Sequence, residues 1–428
     1  MSTSVTRVAV ASAIGTTIEW YDFFIYGTAA ALVFAPQFFP RASDVAGILA
    51  AYLTFALGFV ARPLGGIVMG HFGDRVGRKS MLVWSLVLMG VATLGIGLLP
   101  TYAAIGAWAP VLLTTCRFVQ GFALGGEWGG AVLMSVEHAP EHRRGFFGSL
   151  VALGLPIGII LSNLVFLIAS SLMTPAAFVA WGWRVPFVAS ALLVIVGLFV
   201  RAGVAESPEF TDLRKRGAAR ALPVVDVLRT DARRVLLAAG SYVGISAIGY
   251  LVIVYFVSYA TRQLGLAVSA TLAVLLAAAV LFAISIVACA SWSDRFGRRR
   301  VMIIGNAALL AWSLVFFPLL DTRSLPLIAL SVCGMLVIQG AYIGTQPAVF
   351  AELFPTALRF SGASLALTLG TIAGGALAPS IAVTLFNLTG TSTLVTVYAA
   401  ATALVSLLCT VALNEPARGP EPVAAVRS

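Results

Sequence analysis

The chain has 428 residues, of which 60% are hydrophobic and only 10% are charged, and its formal net charge is +10. A soluble domain carries about 25% charged residues, and no soluble fold of this length has enough interior to hide so much apolar surface. The composition therefore excludes an ordinary soluble protein. With a mean hydropathy of +1.00, the sequence predicts an all-α integral membrane protein, since helices satisfy their own backbone hydrogen bonds in lipid.

The chain contains twelve apolar stretches long enough to cross a bilayer, which takes about 20 residues. The first stretch contains carboxylates and is too long for the apolar region of a signal peptide, so we expect it to be retained as a span. In chain order the twelve predicted spans cover residues 8–36, 45–70, 81–100, 107–136, 145–172, 184–203, 234–261, 266–290, 301–320, 326–350, 359–386 and 393–413.

The longest connection between spans is charged and separates two sets of six. We therefore expect an N-terminal six-helix half over residues 1–203, a central loop over 204–233, a C-terminal six-helix half over 234–413 and a tail over 414–428. Of the 27 Lys and Arg residues, 21 lie on the N-terminal side of the spans and four on the opposite side. The positive-inside rule then makes both termini cytoplasmic. This spread over short loops also argues against a nucleic-acid partner.

Two motifs occur once in each half, after equivalent spans. This recurrence indicates a duplicated six-helix unit in parallel orientation, as in transporters that rock two halves about a central site. The first motif is Asp74-Arg75-x-Gly77-Arg78 and Asp294-Arg295-x-Gly297-Arg298, and the second is Glu137-x-x-Pro140-x-x-x-Arg144 and Glu352-x-x-Pro355-x-x-x-Arg359.

The first motif resembles the signature loop of the major facilitator superfamily, and Arg117-Phe-Val-Gln120-Gly121 resembles its second motif. The runs EWYDF (19–23), ARPLGG (61–66) and GGEWGG (125–130) look like the metabolite:proton symporter branch. Within that branch GHFGDRVGRK, IGAWAPVLL, GGEWGGAVLMSVEHAP and WGWRVPF look most like the shikimate-transporter subgroup. The resemblance implies the major facilitator fold, a multi-pass position in the cell inner membrane and proton-coupled metabolite transport.

We expect the repeated motifs to form a latch on the cytoplasmic side, with Asp74 and Asp294 at facing helix N-termini, where the helix dipole favours an anion. Charges that merely keep loops in water are the alternative. The resemblance implies that such a network holds the cytoplasmic side shut in the outward-facing state. The predicted gate residues are Asp74, Arg75, Arg78, Glu137, Arg144, Asp294, Arg295, Arg298, Glu352 and Arg359.

Five ionisable residues lie well inside predicted spans, all in the first half: Glu19, Asp22, Arg62, Arg117 and Glu127. Charges at this depth are costly and usually functional, although they can also pair simply to pin helices together. Depth, at about 1.5 Å per residue, predicts two constellations. Glu19 and Asp22 share one face of a helix and meet Arg117 near the midplane, while Glu127 meets Arg62 nearer the cytoplasm.

Burial favours the neutral form of a carboxyl and a nearby cation favours its charged form, so drawing the cation to a substrate anion lets the acid take a proton. We predict Asp22 as proton carrier, then Glu19 and Glu127, and Arg117 as the group that binds a substrate anion through two hydrogen bonds. Both acids merely holding Arg117 is an open alternative. The other predicted substrate-binding residues are Arg62, Trp20, Tyr26, Gln120, Trp128, Asn163, Tyr255 and Gln346.

The leading hypothesis is uptake of a small organic acid or zwitterion, such as shikimate, a dicarboxylate or a betaine, by proton symport and alternating access. The alternative is a proton-coupled antiporter that exports a small molecule; residues 154–163 lack the Gly-Pro-x-x-Gly-Gly run typical of antiporters in the family. Nucleotide-binding glycine motifs are absent and the histidines lie in loops, which argues against an enzyme. We expect a monomer in the lipid bilayer, with no metal and no cofactor besides the coupling proton.

Overall fold

The structure is a computed structural model that describes residues 5–76, 78–125, 143–202, 227, 229–354 and 358–413. These ranges are helical and contain no strand. The long helices of the first half are α1 (Val5–Ala29, continued by the π-helical segment Ala30–Phe34 and by Ala35–Phe38), α2 (Asp44–Val76), α3 (Arg78–Leu98), α4 (Trp108–Leu124), α5 (Arg144–Ala152 and Gly154–Leu172) and α6 (Val185–Ala202).

The second half has the same number of long helices in its described part. They are α7 (Ala232–Tyr250, the π-helical segment Leu251–Tyr255 and Phe256–Arg262), α8 (Val268–Phe296), α9 (Arg298–Asp321), α10 (Leu325–Leu353), α11 (Arg359–Thr371, the π-helical segment Ile372–Ala376 and Ala378–Thr389) and α12 (Thr393–Ala412).

Each predicted span overlaps one of these helices, and the part of the fourth span beyond residue 125 lies outside the described residues. Within the described residues, nine stretches are long and apolar enough to cross a membrane: Asp44–Met69, Arg144–Leu172, Gly182–Val200, Ala232–Arg262, Val268–Phe296, Arg298–Asp321, Leu325–Leu353, Ser361–Thr389 and Thr393–Ala412. The helices α1, α3 and α4 are not among the nine. A total of twelve spans, the cytoplasmic position of the termini and the division at 204–233 therefore stay predictions.

The two halves share one packing scheme. In the first half α1 packs on α5 and α6, α2 on α4, and α3 on α4 and α6. In the second half α7 packs on α11 and α12, α8 on α10, and α9 on α10 and α12. Adding six to each helix number converts the first scheme into the second. The contacts between the halves are symmetric too. Helix α5 of the first half packs on α8 of the second, and α11, the counterpart of α5, packs on α2, the counterpart of α8.

The repeated Asp-Arg-x-Gly-Arg motif is not a loop in the second half, contrary to the expectation from the sequence. Helix α8 continues to Phe296 and α9 begins at Arg298, so Gly297 is the sole residue between them. Gly297 has φ +94°, a conformation that a side chain disfavours and glycine adopts readily. Asp294 and Arg298 consequently lie on rigid helix ends. We call this end of the helix bundle, where α8 meets α9, the basic end.

Glycines bring α2 and α4 into backbone contact. A Cβ atom on Gly121 would lie 2.1 Å from the carbonyl oxygen of Gly58, and one on Gly125 would lie 2.1 Å from that of Arg62. Small residues of this kind allow close approach of helices in a membrane. This contact holds Arg62 of α2 near Arg117 of α4, and both guanidiniums lie over the Phe23 ring.

Candidate functional site

Asp22 lies in the middle of α1 and points towards α3. Its side chain is buried, with 1% of its surface exposed, and its Oδ2 atom accepts a 3.0 Å hydrogen bond from the Thr93 hydroxyl. Its Oδ1 atom has no hydrogen-bond partner among the described residues. Glu19, one turn earlier on α1, is also buried. The structure therefore places both acids of the first span inside the protein rather than against lipid.

A chain of hydrogen bonds joins Asp22 to Arg117. The Arg117 Nη1 atom donates to Gln120 Oε1 at 3.1 Å, and Gln120 Nε2 donates to Thr93 Oγ1 at 2.7 Å. Thr93 then donates to Asp22. All four side chains are at most 1% exposed. The sequence predicted a direct meeting of Asp22 and Arg117; in the structure they are linked through Gln120 and Thr93 and form no ion pair with each other.

Arg117 occupies an aromatic cage. Its guanidinium carbon lies 4.3 Å from the ring centres of Phe23 and Tyr26 and 4.8 Å from that of Phe55. Gly58 leaves room for it, since a Cβ atom there would lie 2.7 Å from Arg117 Nε. The Nε and Nη2 atoms are buried and have no hydrogen-bond partner within the described part of the chain. Buried donors without partners are costly, which makes this guanidinium well suited to an anion that arrives from outside the protein.

Arg62 shares this aromatic surface. Its guanidinium carbon lies 4.9 Å from the centre of the Phe23 ring and 5.1 Å from that of Phe59. Its Nε and Nη2 atoms are buried and likewise find no partner among the described residues. The predicted separation into two constellations by depth is therefore wrong for the arginines, because a long arginine side chain places its charge well away from its own Cα. Both guanidiniums lie beside Phe23.

The second half meets this cluster through Tyr250 of α7. Its ring centre lies 5.8 Å from that of Phe23, 5.7 Å from Phe55 and 5.2 Å from Phe59. The cluster of charged and aromatic groups thus lies where the two halves touch. Both halves contribute side chains to it, as expected of a site between two halves that rock about it.

Buried amides of α10 supply polar groups without charge. Gln339 and Gln346 are each 3% exposed, and their Nε2 atoms have no hydrogen-bond partner among the described residues. They lie two helical turns apart and so share a face of α10. Tyr342, between them, forms a 2.6 Å hydrogen bond with Ser241 of α7. These amides offer donors for hydroxyl or carboxyl oxygens of a ligand.

The aromatic residues predicted for the pocket lie in different places. Tyr26 lies in the Arg117 cage and donates to Thr54 Oγ1 at 2.6 Å, and Trp20 stacks on Phe24 at 5.3 Å. Tyr255 lies elsewhere, with its ring against Tyr259 and Phe317.

Asn163 of α5 is fully buried and donates to the Ile159 carbonyl oxygen at 2.8 Å, while its Oδ1 atom has no partner in the described part of the chain. Its amide is thus partly used by its own helix. Glu127 and Trp128 lie outside the described residues, so their predicted places near Arg62 and the substrate stay predictions.

A clamp joins the two halves at the basic end. Asp294 of α8 accepts hydrogen bonds from the backbone N–H groups of Gly145 at 3.0 Å and Phe146 at 3.1 Å, in the first turn of α5. The carboxylate therefore meets the positive end of a helix dipole, as the sequence predicted. Arg298 holds the same carboxylate at 3.1 Å and also pairs with Glu352 of α10.

The other predicted gate residues have mixed outcomes. Arg144 lies 3.8 Å from Glu352 and extends the clamp, whereas Arg295 is exposed. Arg359 begins α11. The side chains of Asp74, Arg75 and Arg78 and all of Glu137 lie outside the described residues, so the first-half copy of the clamp stays a prediction.

A second polar cluster lies at the opposite end of the second half, beyond Tyr255. The carboxylate of Asp321, the last residue of α9, accepts hydrogen bonds from Tyr259 of α7 and Ser392 at the start of α12. It ties three helices of one half together and, within the described part of the chain, hydrogen-bonds to no helix of the other half.

The sequence did not single out Thr93, Phe23 or Tyr250. Threonine and aromatic residues are abundant in membrane helices, so nothing marked Thr93 except its depth, which equals that of Gln120 in an adjacent span. Phe23 lies within the run EWYDF, next to Asp22, and its side chain carries no polar group that would indicate a binding role. Within the described residues, no group of three or more His, Cys, Asp or Glu side chains lies close enough to hold a metal ion.

Comparisons with known proteins agree on one family. A family model described as the Major Facilitator Superfamily matches residues 12–379 and 243–428. The inner membrane metabolite transport protein YhjE of Escherichia coli K12 is 42% identical, over 88% of this chain and 87% of its own length. The shikimate transporter of the same strain is 38% identical, over 96% of this chain and 95% of its own. The proline/betaine transporter is 32% identical, over 97% and 84%.

Solved structures of low sequence identity share the fold. The xylose transporter XylE from E. coli, in a partially occluded inward open conformation, matches with a TM-score of 0.77 over 98% of this chain and 100% of its own, at 17% identity. A crystal structure described as a D-xylose-proton symporter matches with a TM-score of 0.73, over 96% of this chain and 97% of its own, also at 17% identity. The relatives named here are transporters, not enzymes.

Proposed function

Because the chain belongs to the major facilitator superfamily and is a multi-pass transporter of the inner membrane, we propose that it takes up a small organic acid or zwitterion by proton symport. The observation that carries the proposal is Arg117, a buried guanidinium at the contact between the halves whose Nε and Nη2 atoms have no hydrogen-bond partner within the described residues. A substrate carboxylate would accept from these two donors in the paired geometry that guanidinium groups favour.

Asp22 is the proposed proton carrier. Its carboxyl group is buried at the end of the hydrogen-bond chain from Arg117. Burial makes an isolated negative charge costly, so a proton from solution and a carboxylate on the substrate neutralise the site together. Glu19 and Glu127 are further candidates for the proton, and Asp22 ranks first because its carboxyl group ends the chain that reaches Arg117.

The proposed substrate-binding residues besides Arg117 divide by the chemistry they offer. Arg62 offers a second cation, and the amides and aromatic rings offer hydrogen bonds and stacking surfaces. In this group we place Trp20, Tyr26, Gln120, Trp128, Asn163 and Gln346, and we add Tyr250 and Gln339. We propose only a small contribution of Tyr255 to substrate binding, because its ring packs against Tyr259 and Phe317.

The clamp at the basic end is the proposed cytoplasmic gate. Asp294 crosses from α8 to the start of α5, so the two halves cannot separate at this end without breaking its hydrogen bonds. We propose that Asp74 forms the matching contact in the first half. Residues Arg75, Arg78, Glu137, Arg144, Arg295, Arg298, Glu352 and Arg359 would support the two copies.

The proposed topology has twelve spans, with both termini in the cytoplasm and six-helix halves over residues 1–203 and 234–413. The whole chain is proposed to act as a monomer. The distribution of Lys and Arg along the chain supports this orientation. The substrate is proposed by class. Shikimate, a dicarboxylate and a betaine each carry a carboxylate for Arg117, and two relatives are described as a shikimate transporter and a proline/betaine transporter.

Uptake into proteoliposomes tests the proposal. Purified protein is reconstituted, and radiolabelled shikimate, succinate and glycine betaine are each offered with the exterior acidic, with equal pH on both sides, and with the gradient plus an ionophore. We expect one compound to accumulate above its external concentration only in the first condition. Uptake that ignores the pH gradient would defeat symport, and gradient-driven loss of preloaded compound would favour antiport.

A further inference from the structure

The hydrogen-bond chain between Arg117 and Asp22 has a fixed direction. A guanidinium only donates and an ionised carboxylate only accepts, so the amide of Gln120 must turn its oxygen to Arg117 and its nitrogen to Thr93. The observed contacts of 3.1, 2.7 and 3.0 Å follow this order from Arg117 through Gln120 and Thr93 to Asp22. Each group is polarised towards the carboxylate, and such chains strengthen cooperatively in a buried setting.

The Thr93 hydroxyl has two acceptors for its single hydrogen. One is Asp22 Oδ2 at 3.0 Å and the other is the carbonyl oxygen of Met89, one turn earlier on α3, at 2.8 Å. An ionised Asp22 attracts the hydrogen. A protonated Asp22 instead donates its own O–H to Thr93 Oγ1, and the threonine hydrogen turns to Met89. Thr93 Oγ1 then accepts from both Asp22 and Gln120 with its two lone pairs.

We propose that Thr93 and Gln120 are positioning residues that transmit the protonation state of Asp22 to the guanidinium of Arg117. The inference rests on the proposed function and adds the physical link between its proton site and its anion site. When Asp22 takes a proton, the chain loses its terminal charge, and Arg117 attracts a substrate carboxylate more strongly. The Nε and Nη2 atoms of Arg117, which have no partner among the described residues, are the atoms that respond.

Other titratable groups lie on and around α1 near Asp22. Glu19, Tyr21 and Tyr26 lie on α1 itself, and the Tyr21 hydroxyl donates to the Pro186 carbonyl oxygen of α6. Among the described residues, the helices packed around this cluster contribute further charged and titratable groups nearby. These are Tyr52 and Arg62 on α2, Cys116 and Arg117 on α4, and Tyr242 and Tyr250 on α7. In the described residues, Thr93 and Gln120 are the groups that bridge Asp22 to Arg117.

Infrared difference spectroscopy of the purified full chain in detergent tests the inference without any substrate. Spectra are recorded between acidic and basic pH for the wild type, Thr93→Val, Thr93→Ser and Gln120→Met. Asp22→Asn assigns the C=O band of the protonated carboxyl, and Arg117→Lys assigns the guanidinium C–N band. Thr93→Ser is the matched control, because it keeps the hydroxyl and removes only a methyl group. Thermal unfolding establishes that each variant is folded.

In the wild type and Thr93→Ser, we expect the guanidinium band to shift together with the appearance of the carboxyl band. Thr93→Val moves the carboxyl band to higher wavenumber, because the hydrogen bond is lost, and abolishes the guanidinium shift. Gln120→Met leaves the carboxyl band in place and abolishes the guanidinium shift. A guanidinium shift that persists in Gln120→Met or Thr93→Val overturns the relay but leaves Asp22 as the proposed proton carrier. If the carboxyl band of the wild type is still present in Asp22→Asn, Asp22 is not the group that takes the proton, and the relay is overturned as well.

Discussion

The two halves of the molecule share one packing scheme but differ in the chemistry of their centres. Helices α1 to α4 bring buried carboxylates and guanidiniums to the middle of the protein, with Asp22 and Arg117 joined by hydrogen bonds. The counterparts α7 to α10 bring tyrosines and glutamines, and their only charged residues lie at helix ends. Packing in a duplicated fold thus fixes where the helices lie and leaves each half free to take its own role.

This difference suggests a division of labour. If the proposed function is correct, the charged side chains that bind the proton and the substrate carboxylate belong to the first half, where burial makes each charge costly and therefore functionally significant. On the proposed function, the neutral donors of the second half would bind the rest of the substrate without changing their charge during transport. The contact of Tyr250 with Phe23 brings both surfaces to one place.

The largest effect is expected for Arg117→Ala. Losing charge-assisted hydrogen bonds worth about 3 kcal/mol lowers uptake by on the order of 100-fold. Arg117→Lys restores little, because an ammonium cannot offer two parallel donors. Initial rates of uptake by proteoliposomes measure the effect, and Arg300→Lys, at an exposed position, is the control. Near-normal uptake by Arg117→Ala would show that Arg117 does not bind the substrate anion, with Arg62 the next cation to test.

Asp22→Asn comes next and separates coupling from binding. The amide keeps the shape of the side chain but cannot carry the transported proton. We expect accumulation driven by a pH gradient to be abolished, while exchange of labelled for unlabelled substrate across the membrane persists. Both assays use the same proteoliposomes. Intact accumulation in Asp22→Asn would assign the proton to another acid, with Glu19 the next to test.

The clamp at the basic end gives an intermediate effect. Asp294→Asn removes the charge that faces the start of α5, a contribution of about 1 kcal/mol, and we expect turnover to change roughly fivefold with little change in substrate affinity. Arg295→Gln, one residue away and exposed, is the matched control and should change turnover much less. Equal effects from both substitutions would argue for general surface charge instead of a clamp.

A smaller effect is expected for Gln346→Met in the second half. An unsatisfied buried amide costs about 1–3 kcal/mol, so its removal should raise the thermal stability of the substrate-free protein. The concentration for half-maximal uptake should rise by roughly tenfold, since one hydrogen bond to substrate is lost, and the proton dependence should stay unchanged. Unchanged substrate affinity together with higher stability would show that Gln346 does not contact the substrate.

The smallest effect is expected for Tyr255→Phe. The ring packs against Tyr259 and Phe317, and the substitution preserves that packing. Uptake should change by less than about twofold, which corresponds to about 0.4 kcal/mol, because the substitution keeps the packed ring and removes only its hydroxyl group. A large rise in the half-maximal concentration would bring Tyr255 back into the substrate pocket.

The sequence predicted the helices well because hydropathy and span length carry a strong signal. It also predicted the contact of Asp294 with a helix N-terminus, because two copies of one motif occupied matching places. It failed where side-chain length matters. Arg62 and Arg117 were separated by the depth of their Cα atoms, yet both guanidiniums lie beside Phe23.

Two other features had no usable signal in a single sequence. Thr93 is one of many threonines in apolar helices, and only its neighbours Asp22 and Gln120 give it a role. The junction at Gly297 was expected to be a loop, because charged residues around a glycine are typical of loops. In the structure the helices simply extend to either side of it.

The most direct test of the account is the movement of protons with substrate. Proteoliposomes with no initial pH gradient are given the compound identified by the uptake screen, and the external pH is followed with a dye. The account predicts that substrate addition makes the exterior more alkaline in the wild type, and that Asp22→Asn abolishes this signal while substrate exchange continues. Wild-type uptake without any proton signal, or an exterior that becomes more acidic, would contradict symport.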